Sequence, residues 1–156
     1  MKIVFTGDSI TDSGRDREDG KSLGSGYVKI LADKLRPIYP DTDIELVNRG
    51  ANGYEIHDLL ENVQRDVLDL HPDVAVILIG INDLRHKFTY ERELDLEKLG
   101  SDYRQLLTTI KGAGITLICL EPFLLPAPDK LRMRPLFNRQ LKVMREAALE
   151  IADEFV

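Results

Sequence analysis

Short apolar runs alternate along the chain with longer stretches in which apolar residues recur every three or four positions. Ile3-Val4-Phe5-Thr6 reads as a strand ending at Gly7, and Tyr27, Ile30, Leu31, Leu35 and Ile38 fall at helical spacing, closed by Pro40. Ile44–Val47 predicts a second strand. Ile56, Leu59, Leu60, Val63 and Val67 predict a second helix, which must stop before His71-Pro72 because a residue ahead of proline is pushed out of the helical region. Val74–Ile79 is apolar without a break, the mark of a strand covered on both faces. A third helix follows through Leu96, Leu99, Tyr103, Leu106, Leu107 and Ile110, ended by Gly112 and Gly114. Ile115–Leu120 is a fourth strand stopped by Pro122, and Phe137, Leu141, Met144, Ala148 and Ile151 outline a last helix. Glu154-Phe155-Val156 reads as the opening of a fifth strand.

Strands alternating with helices predict parallel pairing, right-handed crossovers and a three-layer α/β/α sandwich around a flavodoxin-like sheet, in spatial order 2-1-3-4. The 156 residues are enough for one domain, 1–156, and can bury a core without covalent staples. The least regular stretch is Asp12–Gly26, with four glycines. It follows the first strand, so it belongs at the carboxyl edge of the sheet, where doubly wound folds keep their sites.

Charge and composition narrow the function. A net charge of -6 with scattered basic residues gives no footprint for nucleic acid. The one dense basic group, Lys130, Arg132 and Arg134, reads as a solvated helix entry. Met1–Gly7 is too short an apolar run for a signal peptide and no stretch reaches membrane-spanning length, so a cytoplasmic location and no membrane partner are expected. Cys119 is the single cysteine, set in an apolar run, and is expected to be a buried, inert thiol.

The candidate chemistry lies after the strands. Gly7-Asp8-Ser9 presents a serine next to a glycine that permits a tight turn. Asn48-Arg49-Gly50-Ala51-Asn52-Gly53 leaves backbone N–H groups free to face a ligand, and Gly80-Ile81-Asn82-Asp83 offers an amide donor suited to a developing oxyanion. Taken singly, each segment is also ordinary turn chemistry, Ser9 as a turn cap and Asn82 as a turn residue. Taken together, they follow three successive strands of one parallel sheet and converge on one edge. A receiver-like signalling domain is a different reading of the same edge, since Asp8, Asp12 and Asp83 approach its acidic pattern. No clustered histidines and carboxylates suggest a metal.

Gly-Asp-Ser at the first strand, Gly53 after the second and Gly-x-Asn-Asp after the third match, in order, three of the four sequence blocks of the SGNH (GDSL-type) hydrolases. Further agreement at Ile10-Thr11-Asp12, Gly24-Ser25-Gly26-Tyr27, Asn48-Arg49-Gly50, Pro72-Asp73 and Pro122-Phe123 resembles the acetylxylan esterase-like carbohydrate esterases. The resemblance implies that Ser9 is the nucleophile of a serine ester hydrolase working through an acyl-enzyme. Its own N–H, the N–H of Gly53 and the Asn82 amide would form the oxyanion hole. Asp8 would hold the turn, and Asp8, Asp83 and His86 would sit at the substrate. Small acyl esters are the implied substrates, O-acetyl groups on carbohydrate first, with lysophospholipids or acyl-thioesters as the alternative. No cofactor is implied.

The family's fourth block, Asp-x-x-His placed after the fifth strand, has no counterpart in these 156 residues; the Asp-x-x-His spacing that does occur, Asp83 to His86, follows the third strand. His71 precedes its strand and belongs to the opposite edge, His57 projects from a helix start, and His86 alone neighbours the site. A chain without the fourth block is expected to hydrolyse esters poorly or to act as a binding domain. It is also expected to leave the apolar fourth strand, Ile115–Leu120, as a bare edge that favours homo-oligomers.

Overall fold

The computed structural model describes residues 1–156. Five parallel strands form one sheet in the order β2-β1-β3-β4-β5. These are β1 (Lys2–Gly7), β2 (Glu45–Asn48), β3 (Val74–Leu78), β4 (Thr116–Leu120) and β5 (Glu154–Phe155). The helices are α1 (Ser9–Asp12), α2 (Tyr27–Ile38), α3 (Ile56–Asp66), α4 (Ile81–Tyr90), α5 (Leu96–Gly112) and α6 (Arg134–Ile151). None of them is long and apolar enough to cross a membrane.

Alternation along the strands divides the core between the two faces. Ala75 and Ile77 of β3 and Leu117 and Cys119 of β4 pack under α3, α5 and α6, through Leu59, Val63, Tyr103, Leu106, Leu107 and Met144. Phe5 and Val76 point the other way, onto Val28 of α2, where Ile3, Leu46, Val74, Ile118 and Leu120 are half-buried. Cys119 is fully buried beside Tyr103, and burial pushes its thiol up to about 11.

Three details depart from the pattern read in the sequence. In α2 the buried positions are Val28 and Ala32, whereas Ile30 and Ile38 are 55% and 63% exposed. The stripe facing the sheet is therefore offset from the most apolar residues. Helix α4 replaces the turn expected after β3: Ile81, Leu84 and Phe88 recur at helical spacing and meet Met133 and Phe137 in a small satellite cluster. The fourth strand, finally, is not a bare edge. Asp153 N donates to Leu117 O and Val156 N to Cys119 O, Glu121 N donates to Val156 O, and the Asp153 carboxylate takes the Leu117 N–H, so residues 153–156 satisfy its backbone. Four residues suffice because a parallel pair uses alternate groups of each strand. The expected oligomer through a bare fourth-strand edge thus loses its premise.

Candidate active site

The carboxyl ends of β2, β1 and β3, neighbours in the sheet, carry the three loops singled out in the sequence. At the end of β1, Gly7 has φ +145, and a Cβ there would lie 1.9 Å from the Leu78 carbonyl oxygen. Only glycine lets β1 pass so close to β3 and turn away. Asp8 follows as N-cap of α1, accepting the Ile10 N–H at 2.9 Å, and Ser9 is the first residue of that helix, half-buried. The carboxylate of Asp8 is 1% exposed and its Oδ2 has no partner; burial pushes it up to about 6 against the Ile10 N–H, which lowers it. Asp8 is therefore packed beneath the turn, which leaves the first of its two expected roles, at the substrate, without support. Its other expected role, holding the turn, is what the capping bond does.

The loop after β2 is built on Asn48. Its Nδ2 donates to Thr11 O at 2.7 Å and Leu23 O at 2.9 Å, and its Oδ1 accepts the Gly50 N–H at 2.9 Å. A Cβ on Gly50 would come within 2.2 Å of Asp12 N, so this loop lies directly against the segment that follows Ser9. Ala51 N donates to Gly7 O at 2.9 Å and Tyr54 N to Ala51 O at 3.2 Å, closing a turn around Asn52-Gly53. Gly53 sits at φ +85 with open space where a side chain would be.

After β3, Gly80 (φ +117) leads into α4, whose second residue is Asn82. Asn82 is 2% exposed, yet it does not turn into the core: Nδ2 donates to Tyr54 O at 2.9 Å, on the loop that carries Gly53. One N–H of that amide is thereby fixed and a second remains. Asp83 accepts the Ile56 N–H at 3.3 Å. Burial first, and then the neighbouring Glu55 carboxylate, push Asp83 up to about 7 against that N–H. His86, one turn past Asn82, donates through Nδ1 to Glu55 at 2.5 Å.

Ser9, Gly53 and Asn82 thus share one sheet edge, joined by the Ala51–Gly7 and Asn82–Tyr54 hydrogen bonds. Asp83 and His86 line a cavity of about 170 Å³ with Glu55, His57 and Arg92. A larger cavity, about 470 Å³, lies between α2 and β2 and contains none of these residues. His57 is exposed at the start of α3, and His71 is exposed ahead of β3 on the far edge.

Three features were not anticipated. Asn48 is the hub of its loop, a role that its pairing with Gly50 hints at. Glu55 is the N-cap of α3 in a reciprocal capping box with Asp58, and its Glu-x-x-Asp spacing ahead of an apolar run is the signal for it. The structure also brings Glu55, His57 and Asp58 together, with ligand-capable atoms all within 4.8 Å, where the sequence suggested no such cluster. Both carboxylates are engaged in capping α3, which accounts for the grouping.

The profile of the GDSL-like Lipase/Acylhydrolase family matches residues 5–156. An acetylxylan esterase of Geobacillus stearothermophilus is 32% identical over 163 residues, 99% of this chain and 74% of that protein. The crystal structure of that organism's acetylxylan esterase Axe2 superimposes with a TM-score of 0.89 at 32% identity, covering 99% of this chain and 74% of its own. LAE5, an alpha/beta hydrolase from the metagenome of Lake Arreo, Spain, matches with a TM-score of 0.88 at 31% identity over 98% of this chain and 75% of its own.

Proposed function

Since the chain belongs to the GDSL-like Lipase/Acylhydrolase family, and so is a carboxylic ester hydrolase, we propose that it removes acetyl groups from carbohydrate through a serine acyl-enzyme. Ser9 Oγ attacks the acyl carbonyl, and the carbonyl oxygen becomes an oxyanion. The Ser9 N–H, the Gly53 N–H and the free N–H of the Asn82 amide take that charge. Collapse of the tetrahedral intermediate breaks the ester C–O bond. The proton that Ser9 gave up to a base (solvent, or imidazole where it is added) returns to the departing oxygen to give the sugar hydroxyl, and water then hydrolyses the acetyl-serine to acetate and free Ser9. The observation that carries this reading is the tying of three loops from neighbouring strands into one edge, by Ala51 N to Gly7 O and Asn82 Nδ2 to Tyr54 O. The cavity beside it favours a hydroxyl-rich alcohol over a lipid tail, because polar and charged side chains such as Lys87, Arg92, Glu93 and Asp95 make up most of its wall.

The Asp-x-x-His spacing in these 156 residues, Asp83 to His86, follows β3 and sets His86 on Glu55, so no side chain is assigned as general base to Ser9. Turnover of p-nitrophenyl acetate and of acetylated xylo-oligosaccharides by this chain is therefore expected to be slow and to rise on adding free imidazole, which can take the serine proton. Ser9→Ala should remove both the slow rate and the imidazole effect. An unchanged rate in Ser9→Ala would reject Ser9 as nucleophile, and a fast imidazole-independent rate lost in His86→Ala would make His86 the base.

A further inference from the structure

Three consecutive residues, where the loop after β2 enters α3, are bonded to one helix, α4. Tyr54 O accepts from Asn82 Nδ2 at 2.9 Å, the Glu55 carboxylate accepts from His86 Nδ1 at 2.5 Å, and Ile56 N donates to Asp83 at 3.3 Å. Asn82 and His86 are four apart on α4 and so lie on the same face. The Glu55–His86 bond is the one that joins two ionisable side chains, and charge-assisted bonds of this kind are roughly twice as strong as neutral ones. Glu55 is buried, and its other oxygen lies 3.3 Å from His57 Nδ1. Its own N–H is held by Asp58 at 2.9 Å. The residue is therefore fixed at both main chain and side chain.

Gly53 lies between two pins. On one side Ala51 is bonded to Gly7; on the other are the bonds from residues 54–56 to α4. Between them stands a glycine at positive φ with open space around it, the most easily displaced kind of residue. We infer that Glu55 and His86 are positioning residues, which clamp this loop to α4 and hold the Gly53 N–H and the Asn82 amide at the separation an oxyanion requires. The catalytic consequence rests on the assignment of those two donors above, whereas the clamp itself does not. Displacing a catalytic donor by about an ångström costs on the order of 100-fold in rate, so losing the clamp should act on kcat and not on substrate affinity.

The test compares the 156-residue chain with His86→Ala, Glu55→Gln and His86→Gln, the last of which restores a donor to Glu55. By NMR, His86→Ala should speed hydrogen exchange at the Asn82 side-chain amide about 10-fold or more, shift the Gly53 N–H resonance, and leave core amides such as Ile77 and Leu117 protected. Glu55→Gln, nearly isosteric, should do the same, and His86→Gln should restore part of the protection. Unchanged exchange and shifts at Gly53 and Asn82 in both His86→Ala and Glu55→Gln would overturn the clamp, whatever the activity. In imidazole-supported turnover of p-nitrophenyl acetate, kcat should fall about 10- to 100-fold with KM within twofold. A rise in KM alone would overturn the positioning role in favour of direct substrate contact. If Ser9→Ala shows that Ser9 is not the nucleophile, the proposed function fails while the exchange measurements still decide the clamp.

Discussion

The carboxyl group of Asp8 should make the protein less stable as pH rises through the weakly acidic range, and Asp8→Asn should remove that slope. Asp8 is 1% exposed, with Oδ2 unpartnered, and burial lifts it from 3.8 to about 6. A carboxyl group raised on folding binds its proton more tightly in the native state. Its stabilising contribution is then complete below about pH 4 and is lost as pH passes about 6. From 3.8 to about 6, at about 1.4 kcal/mol per pH unit, the full contribution is roughly 3 kcal/mol, of which about 2 kcal/mol falls between pH 4.5 and 8. Asp83, raised to about 7, adds a slope of the same sign in both proteins, so the difference between wild type and variant isolates Asp8. The absolute stability of Asp8→Asn is a poorer measure, since an amide placed at the unpartnered Oδ2 position brings a buried donor with its own cost of about 1–3 kcal/mol. The sequence has no tryptophan, so urea unfolding is best followed by far-ultraviolet circular dichroism at several pH values from 4.5 to 8. Equal pH slopes in the two proteins, or an Asp8 carboxyl that titrates near 4 by NMR, would refute the reasoning.

Other outcomes follow from the same geometry. Asn82→Ala should lower imidazole-supported kcat by about 10²–10³, the usual cost of one oxyanion donor, and leave the Tyr54 carbonyl without its side-chain donor. Gly7→Ala would set a methyl group 1.9 Å from Leu78 O at φ +145, so thermal unfolding should show a loss of more than about 3 kcal/mol or no soluble protein at all. Gly112→Ala, at the end of α5 with nothing within 4 Å, should be neutral or stabilising by up to about 1 kcal/mol in the same assay. Cys119, fully buried and with its thiol pushed up to about 11, should resist Ellman's reagent in the native protein and react once unfolded; rapid native reaction would show that the α5–β4 packing opens.

The parts of the molecule visible in the sequence are those where one residue type answers one local demand. The unbroken apolar run Val74–Ile79 announces a central strand because a strand covered on both faces cannot afford polar side chains, and β3 does lie between β1 and β4. The shared edge of Ser9, Gly53 and Asn82 was legible for a related reason: topology alone sends the ends of successive parallel strands to one edge. Helix α4 was hidden because Asn82-Asp83 opens it with turn-forming residues, and its apolar spacing, Ile81, Leu84 and Phe88, serves a small satellite cluster and not the main core. The offset of α2 was hidden because periodicity identifies a helix more firmly than it sets the rotation of that helix, and Ile30 and Ile38 mimic a buried stripe while facing water. The Glu55–His86 bond spans 31 residues between two side chains that are unremarkable in composition, so nothing local marks it. On the proposed assignment, the oxyanion donors are specified by the chain where each stands, whereas the distance between them is specified by partners elsewhere. A reading that stops at the motif will find which atoms can stabilise an oxyanion and miss what keeps them in place.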